Sequence, residues 1–188
     1  MSRETILRAA ATIFQEKGYH ATSMQDIAEA VDLKKGSLYH HVSSKQDILL
    51  ALLDEALGLI VERLESAITP DLSPSQRLRQ AMDAYLGFLT ENRSLSSVLL
   101  LEYRSLEPKY KDLHIPHRDH VDRIWQEILE DGISSGEFKD QPPGLASKAL
   151  LGVLNWTITW YREDGQLSTS EIADHFSELF LEGLYHRE

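Results

Sequence analysis

Between Asp32 and Asp47 lies a run of residues able to meet a polyanion: Lys34, Lys35, Ser37, Tyr39, His40, His41 and Lys45, with no acidic side chain among them. Ammonium groups, a small hydroxyl, a phenol and imidazoles can bond phosphate oxygens and base edges of a duplex. Gly36 removes a side chain where a backbone can approach phosphates closely, which offsets its poor helix propensity. A second group, His114, His117 and His120, recurs at spacings of three beside Asp119 and Asp122. On a helix His117 and His120 would be neighbours, and imidazole suits transition metals, yet the spacing matches no strong ligand motif. Metal binding is therefore not expected, nor any cofactor, and a metal-responsive regulator stands as an alternative reading only. No nucleophile elbow, glycine-rich phosphate loop or paired His-Glu zinc motif occurs, so an enzyme is not expected either.

The elements that must position the basic run are short. Met24, Ile27, Ala28 and Val31 fall at helical spacing, and Thr22 with Gln25 or Ser23 with Asp26 fits a capping box at the start of that helix. A second helix is expected around Lys34 to Val42, with Leu38 and Val42 on its inner face. This is helix-turn-helix geometry, in which the second helix enters the major groove by its N-terminal end. A preceding helix is expected from about Ser2 to Lys17, closed by Gly18. A long one should follow, capped by Ser43 with Gln46 or Ser44 with Asp47, its stripe running from Leu49 to Leu64.

In the wording ILRAAATIFQEKGYHATSMQDIAEAVDLKKGSLYHHVSSKQDIL, the segment Arg3 to Leu50 resembles the N-terminal DNA-binding domain of the tetracycline-repressor (TetR/AcrR) family. The resemblance implies that Thr22, Ser23, Lys34, Tyr39 and Lys45 position the DNA backbone, while Lys35, Gly36, Ser37 and His40 read the groove. His40 stands where a larger aromatic is common in that family, and Val42 where phenylalanine is common. The fold class implied is all-α, about nine helices in all. Its two domains are a three-helix DNA-binding domain over residues 1–47 and a helical ligand-binding and dimerisation domain over 48–188.

Composition agrees with a folded regulator. The 188 residues include no cysteine, which excludes disulfides and thiolate chemistry. There is no apolar leader at the N-terminus and no stretch long enough to span a bilayer, so a cytoplasmic protein without membrane partners is expected. Residues 1–50 carry six Lys/Arg and six Asp/Glu, so the whole net charge of −11 lies beyond residue 50. An acidic body is repelled by DNA and turns the neutral head toward it.

Beyond the breaker Thr69-Pro70-Asp71-Leu72-Ser73-Pro74, the apolar pattern is helical throughout, with an irregular region expected from Glu107 to Pro116 and the next helix starting at about Pro116. Tyr85, Phe88, Leu99, Tyr103, Trp125, Ile128, Trp156 and Trp160 offer an apolar, aromatic lining for an effector, with Arg104 available for its phosphates. The last two helices, from Leu145 to Arg162 and from Ser168 onward, carry more apolar surface than one small body needs. They are expected to pair with their copies as an isologous four-helix interface. A homodimer would space two reader helices roughly 34–36 Å apart on a palindromic operator of double-stranded DNA. The segment Gly152 to Tyr161, followed by Asp164-Gly165, resembles the C-terminal helix of repressors of fatty-acid and aromatic-acid degradation. That resemblance implies a repressor released by an acyl-CoA thioester; a regulator of drug efflux answering to hydrophobic compounds is the competing reading.

Overall fold

A computed structural model of the protein describes residues 2–184. Among these residues the regular structure is nine α-helices and one short 3-10 turn. The chain packs as two compact units, one comprising the chain up to Gly58 together with Asn92–His117, the other Leu59–Glu91 together with the chain from Arg118 onward.

The first unit begins with α1 (Arg3–Lys17), whose N-cap Ser2 accepts from the Thr5 amide. Its C-terminus is closed by Gly18 at φ 79°, a left-handed conformation that glycine adopts without strain. Next come α2 (Met24–Ala30) and α3 (Lys35–Leu38), separated by Asp32 at φ 53°. Short Asp side chains tolerate that backbone better than most residues do. The helix expected to reach Val42 is therefore a single turn followed by bonded turns, with the His41 and Val42 amides both donating to the Leu38 carbonyl. A long helix, α4 (Lys45–Ala67), starts in this unit and ends in the other. The unit is completed by α6 (Arg93–Leu101), a 3-10 turn at Tyr103–Ser105 and the start of α7 (Pro108–Ser134). Here α1 packs against both α2 and α6, burying Ile6, Ala10, Phe14, Ile27 and Val98.

The region from Glu107 to Pro116, expected to be irregular, is helix. Pro108 opens α7, a position where a missing N–H costs nothing, and Pro116 is carried inside it. An internal proline removes one backbone hydrogen bond and costs about 3 kcal/mol, which the remaining turns of a 27-residue helix can absorb.

In the second unit α5 (Pro74–Glu91) packs against α8 (Pro143–Trp160) and α9 (Thr169–Leu184). Leu78, Met82, Leu86 and Leu89 of α5 are fully buried, as are Trp125 of α7 and Leu154 of α8. The ring of Phe138 lies so close to Gly132 that a Cβ there would overlap it, so only glycine lets the chain fold back at the end of α7. Among the described residues no helix is long and apolar enough to cross a membrane.

Candidate functional site

The reader is built so that its apolar residues point in and its donors point out. Leu38 and Val42 are buried, while Lys34, Lys35, Gly36 and His40 are exposed, Tyr39 is 46% exposed and Ser37 is half-buried. Lys34, the N-cap of α3, has extended backbone and is exposed, so its ammonium group stands in solvent. These side chains and the Gly36 backbone form one polar, basic surface on a helix too short to stand alone.

The other residues expected at the interface do structural work first. Thr22 is buried, its hydroxyl donating to the Gly18 carbonyl at 2.9 Å. Ser23 and Asp26 complete the capping box of α2, and the Ser23 hydroxyl and amide together hold the Asp26 carboxyl well below the usual carboxylate range. Lys45 donates to the carbonyls of Tyr19 and Thr22 at 2.9 and 2.6 Å, and its ammonium lies 4.3 Å from the Tyr19 ring centroid. Burial lowers the Lys45 pKa, so the group is held by the turn before α2 rather than displayed.

Two supports come from distant parts of the chain. Gln46 donates to the Tyr19 hydroxyl at 2.8 Å and to the Ser105 carbonyl at 2.9 Å, and accepts from the Glu107 amide at 3.0 Å. Glu102 accepts from the Tyr19 amide at 3.0 Å. Gln46 fitted a capping box with Ser43 in the sequence and Glu102 carried no signal; neither of these long-range roles was legible, because a polar side chain bonded 59 or 83 positions away belongs to no local pattern.

This head matches known proteins throughout. The family profile described as "Bacterial regulatory proteins, tetR family" matches residues 6–52, and "Tetracyclin repressor-like, C-terminal domain" matches residues 71–184. The chain belongs to the TetR family of bacterial transcription regulators. Members of this family bind operator DNA as dimers. Among relatives, the HTH-type transcriptional repressor KstR2 of Mycolicibacterium smegmatis is 27% identical over 97% of this chain and 90% of its own. The Fatty acid metabolism regulator protein of Bacillus subtilis is also 27% identical, over 97% and 95%. Among solved structures, the TetR-family regulator PfmR of Thermus thermophilus superposes with a TM-score of 0.86 at 38% identity, covering 96% of this chain and 99% of that one. AibR, solved in complex with isovaleryl coenzyme A and operator DNA, gives 0.87 at 26% identity over 94% and 96%.

The expected effector residues of this TetR-family chain fall into three groups. Tyr85, Phe88, Trp125 and Ile128 are buried together in the second unit. Tyr85 meets Trp125 edge to face at 5.7 Å and donates to Asn155 at 2.7 Å; burial pushes its phenol pKa up. The indole N–H of Trp125 is fully buried and has no hydrogen-bond partner. Leu99, Tyr103 and Arg104 belong to the first unit, where Arg104 is exposed.

Trp156 and Trp160 lie elsewhere, 65% and 45% exposed on the outer face of α8. With Leu145, Ala149, Gly152 and Val153 they form a continuous stripe at three- and four-residue spacing, and on α9 Leu179 is 67% exposed. An exposed apolar stripe of that length is the kind of surface that a partner covers. Trp160 also lines a shallow cleft with Tyr161, Leu167 and Ile172. A larger cleft of about 700 Å³ has a mixed lining, with Ala67, Ala84 and Tyr161 beside Arg63, Asp83, Glu91 and the hydroxyls of Ser168, Thr169 and Ser170. There Arg63 forks onto Glu91 with bonds of 2.7 and 2.8 Å.

The three histidines do not act as a set. His114 and His117 both donate from Nδ1 to Asp54 Oδ1, whereas His120 lies 4.0 Å from Glu65. Burial pushes the Asp54 carboxyl up, but the bonds from His114 and His117 outweigh it and hold the pKa below its ordinary value.

Proposed function

We propose that the protein is a homodimeric repressor that occupies a palindromic operator when free and leaves it on binding an acyl-CoA thioester. The observation that carries the effector class is the likeness to AibR over nearly the whole chain, since that protein was solved with both an acyl-CoA and its operator. The repressor reading is supported by KstR2, and an acyl effector again by the fatty acid metabolism regulator.

In this reading residues 1–47 bind DNA, and the rest of the chain binds effector and dimerises. Lys34 and Tyr39, with the capped start of α2 at Thr22 and Ser23, position the phosphates, and Lys45 holds the turn that presents them; Lys35, Gly36, Ser37 and His40 meet base edges. The acyl group enters among Tyr85, Phe88, Trp125 and Ile128. A buried indole donor without an acceptor costs about 1–3 kcal/mol, and a thioester carbonyl is an acceptor that would recover it. Because α4 belongs to both units, a displacement of its later turns is carried along a continuous helix toward Lys45. A hundredfold release requires about 2.7 kcal/mol of coupling.

The test is operator selection from random duplexes, followed by titration of the selected DNA complex with acyl-CoAs of short to long chain. A palindrome released by one chain-length class is the expected result. Trp125→Phe, which keeps a ring but loses the N–H, should weaken that response about tenfold with operator affinity unchanged. Release by hydrophobic drugs and by no acyl-CoA would overturn the thioester assignment, and failure to select any palindrome would overturn the repressor itself.

A further inference from the structure

Two imidazoles from successive turns of α7 and one carboxylate from α4 converge on a single point within the first unit. Asp54 Oδ1 lies 2.7 Å from His114 Nδ1 and 2.9 Å from His117 Nδ1. His114 is 1% exposed, its ring tilted against that of Tyr103 with centroids 5.5 Å apart. A polar ring in such a place is costly unless something specific holds it. His117, by contrast, is exposed, so the cluster is closed on one side and open to water on the other. Neither operator binding nor the acyl pocket uses any of the three side chains.

We propose that Asp54, His114 and His117 form a binding site for a divalent transition-metal ion. Two imidazole nitrogens and a carboxylate oxygen are a donor set that first-row ions accept. The three ligand atoms lie within 4.8 Å of one another, and the contacts of 2.7 and 2.9 Å are the hydrogen bonds that an ion would replace. On binding, each ring carries its proton on Nε2 and presents the Nδ1 lone pair, and water fills the positions on the open side. No short ligand motif announces the site, because Asp54 stands 60 positions before His114. The bound ion ties α4, nine positions past Lys45, to the first turns of α7.

The experiment uses the untagged full-length protein, stripped with chelator and titrated calorimetrically with Co²⁺, Ni²⁺ and Zn²⁺, with the visible spectrum of the Co²⁺ form recorded. One ion per chain is expected, with a Co²⁺ spectrum that differs from that of the aqueous ion. Affinity should fall about tenfold or more in Asp54→Asn and in His117→Ala, and stay unchanged in His120→Ala. His117 is exposed, so its alanine variant folds even where Asp54→Asn does not, and circular dichroism checks this. A stoichiometry below one, or equal affinity in wild type and His117→Ala, overturns the site. A Co²⁺ spectrum unchanged from that of the aqueous ion overturns it as well. None of these readouts involves an acyl-CoA or DNA, so they stand or fall apart from the effector assignment.

Discussion

The two units are held together by different means. The first contains helices of seven and four residues at the reader, too short to bury much apolar area, and they are held by long polar side chains. Lys45, Gln46 and Glu102 all bond the turn around Tyr19, and each replaces bonds that an isolated turn would make to water. The second unit relies on helices of 16 to 18 residues with broad apolar faces, and it has apolar surface left over. A surface that must fit a duplex in one shape is fixed by directional bonds. The second unit is fixed by non-directional burial, which tolerates rearrangement.

The contrast can be broken most severely at Trp125, the largest side chain in the buried core of the second unit. Trp125→Ala should cost about 3–5 kcal/mol, read as a fall in the denaturation midpoint. A loss under about 1 kcal/mol would mean that this unit does not depend on burial. The next effect is on assembly: Trp156→Arg places a charge on the exposed stripe of α8 and should shift sedimentation to monomer. Operator affinity should then fall about a hundredfold, because a single head loses the effective concentration supplied by its twin. A variant that stays dimeric would move the interface off this stripe.

Smaller effects sharpen the first unit. Gln46→Ala leaves the Tyr19 hydroxyl, the Ser105 carbonyl and the Glu107 amide without their partner, and should destabilise by about 1–3 kcal/mol. A result near zero would show the turn held by Lys45 and Glu102 alone. Ser23→Ala removes the N-cap of α2 at about 1 kcal/mol. It should also remove most of the acid sensitivity of this helix. Asp26 has a depressed folded pKa, so its contribution is full above the ordinary carboxyl range and disappears as pH falls through the depressed value. Equal acid sensitivity in the wild type and Ser23→Ala would rule out the capping box as its source.

What was legible in the sequence follows the same division. Periodicity and caps are local, so the helix ends at Gly18, Ser23 and Ser168 could be read directly, and so could the start at Pro74. The head carried its family resemblance for that reason. The helix through Pro116 was not legible, because a proline rule works on a few residues while the cost is borne by a helix of 27. Aromatic type said that Trp125, Trp156 and Trp160 sit on apolar faces, yet it could not say which face meets the core. The fold buries the first and exposes the other two. Asp54 beside His114 and His117 was invisible in sequence, since only folding brings α4 and α7 together there.

The finest comparison lies within the basic residues of the head. Lys35 is exposed, and removing it takes one cation from each of two heads. Lys35→Ala should relax base preference and leave the salt slope of operator binding nearly unchanged; a fall of about 1.8 for the dimer, at about 0.9 per phosphate contact, would make Lys35 a backbone contact instead. Thermal stability should move by under about 0.5 kcal/mol, as for other exposed sites. Lys45 is bonded to two carbonyls and partly desolvated, so Lys45→Ala should lower the unfolding midpoint and change the salt slope less than Lys34→Ala does. If instead Lys45→Ala leaves the midpoint alone and takes a full unit from the slope per head, its ammonium serves the phosphates and not the turn. The directional bonds around Tyr19 would then be a consequence of the fold and not its support.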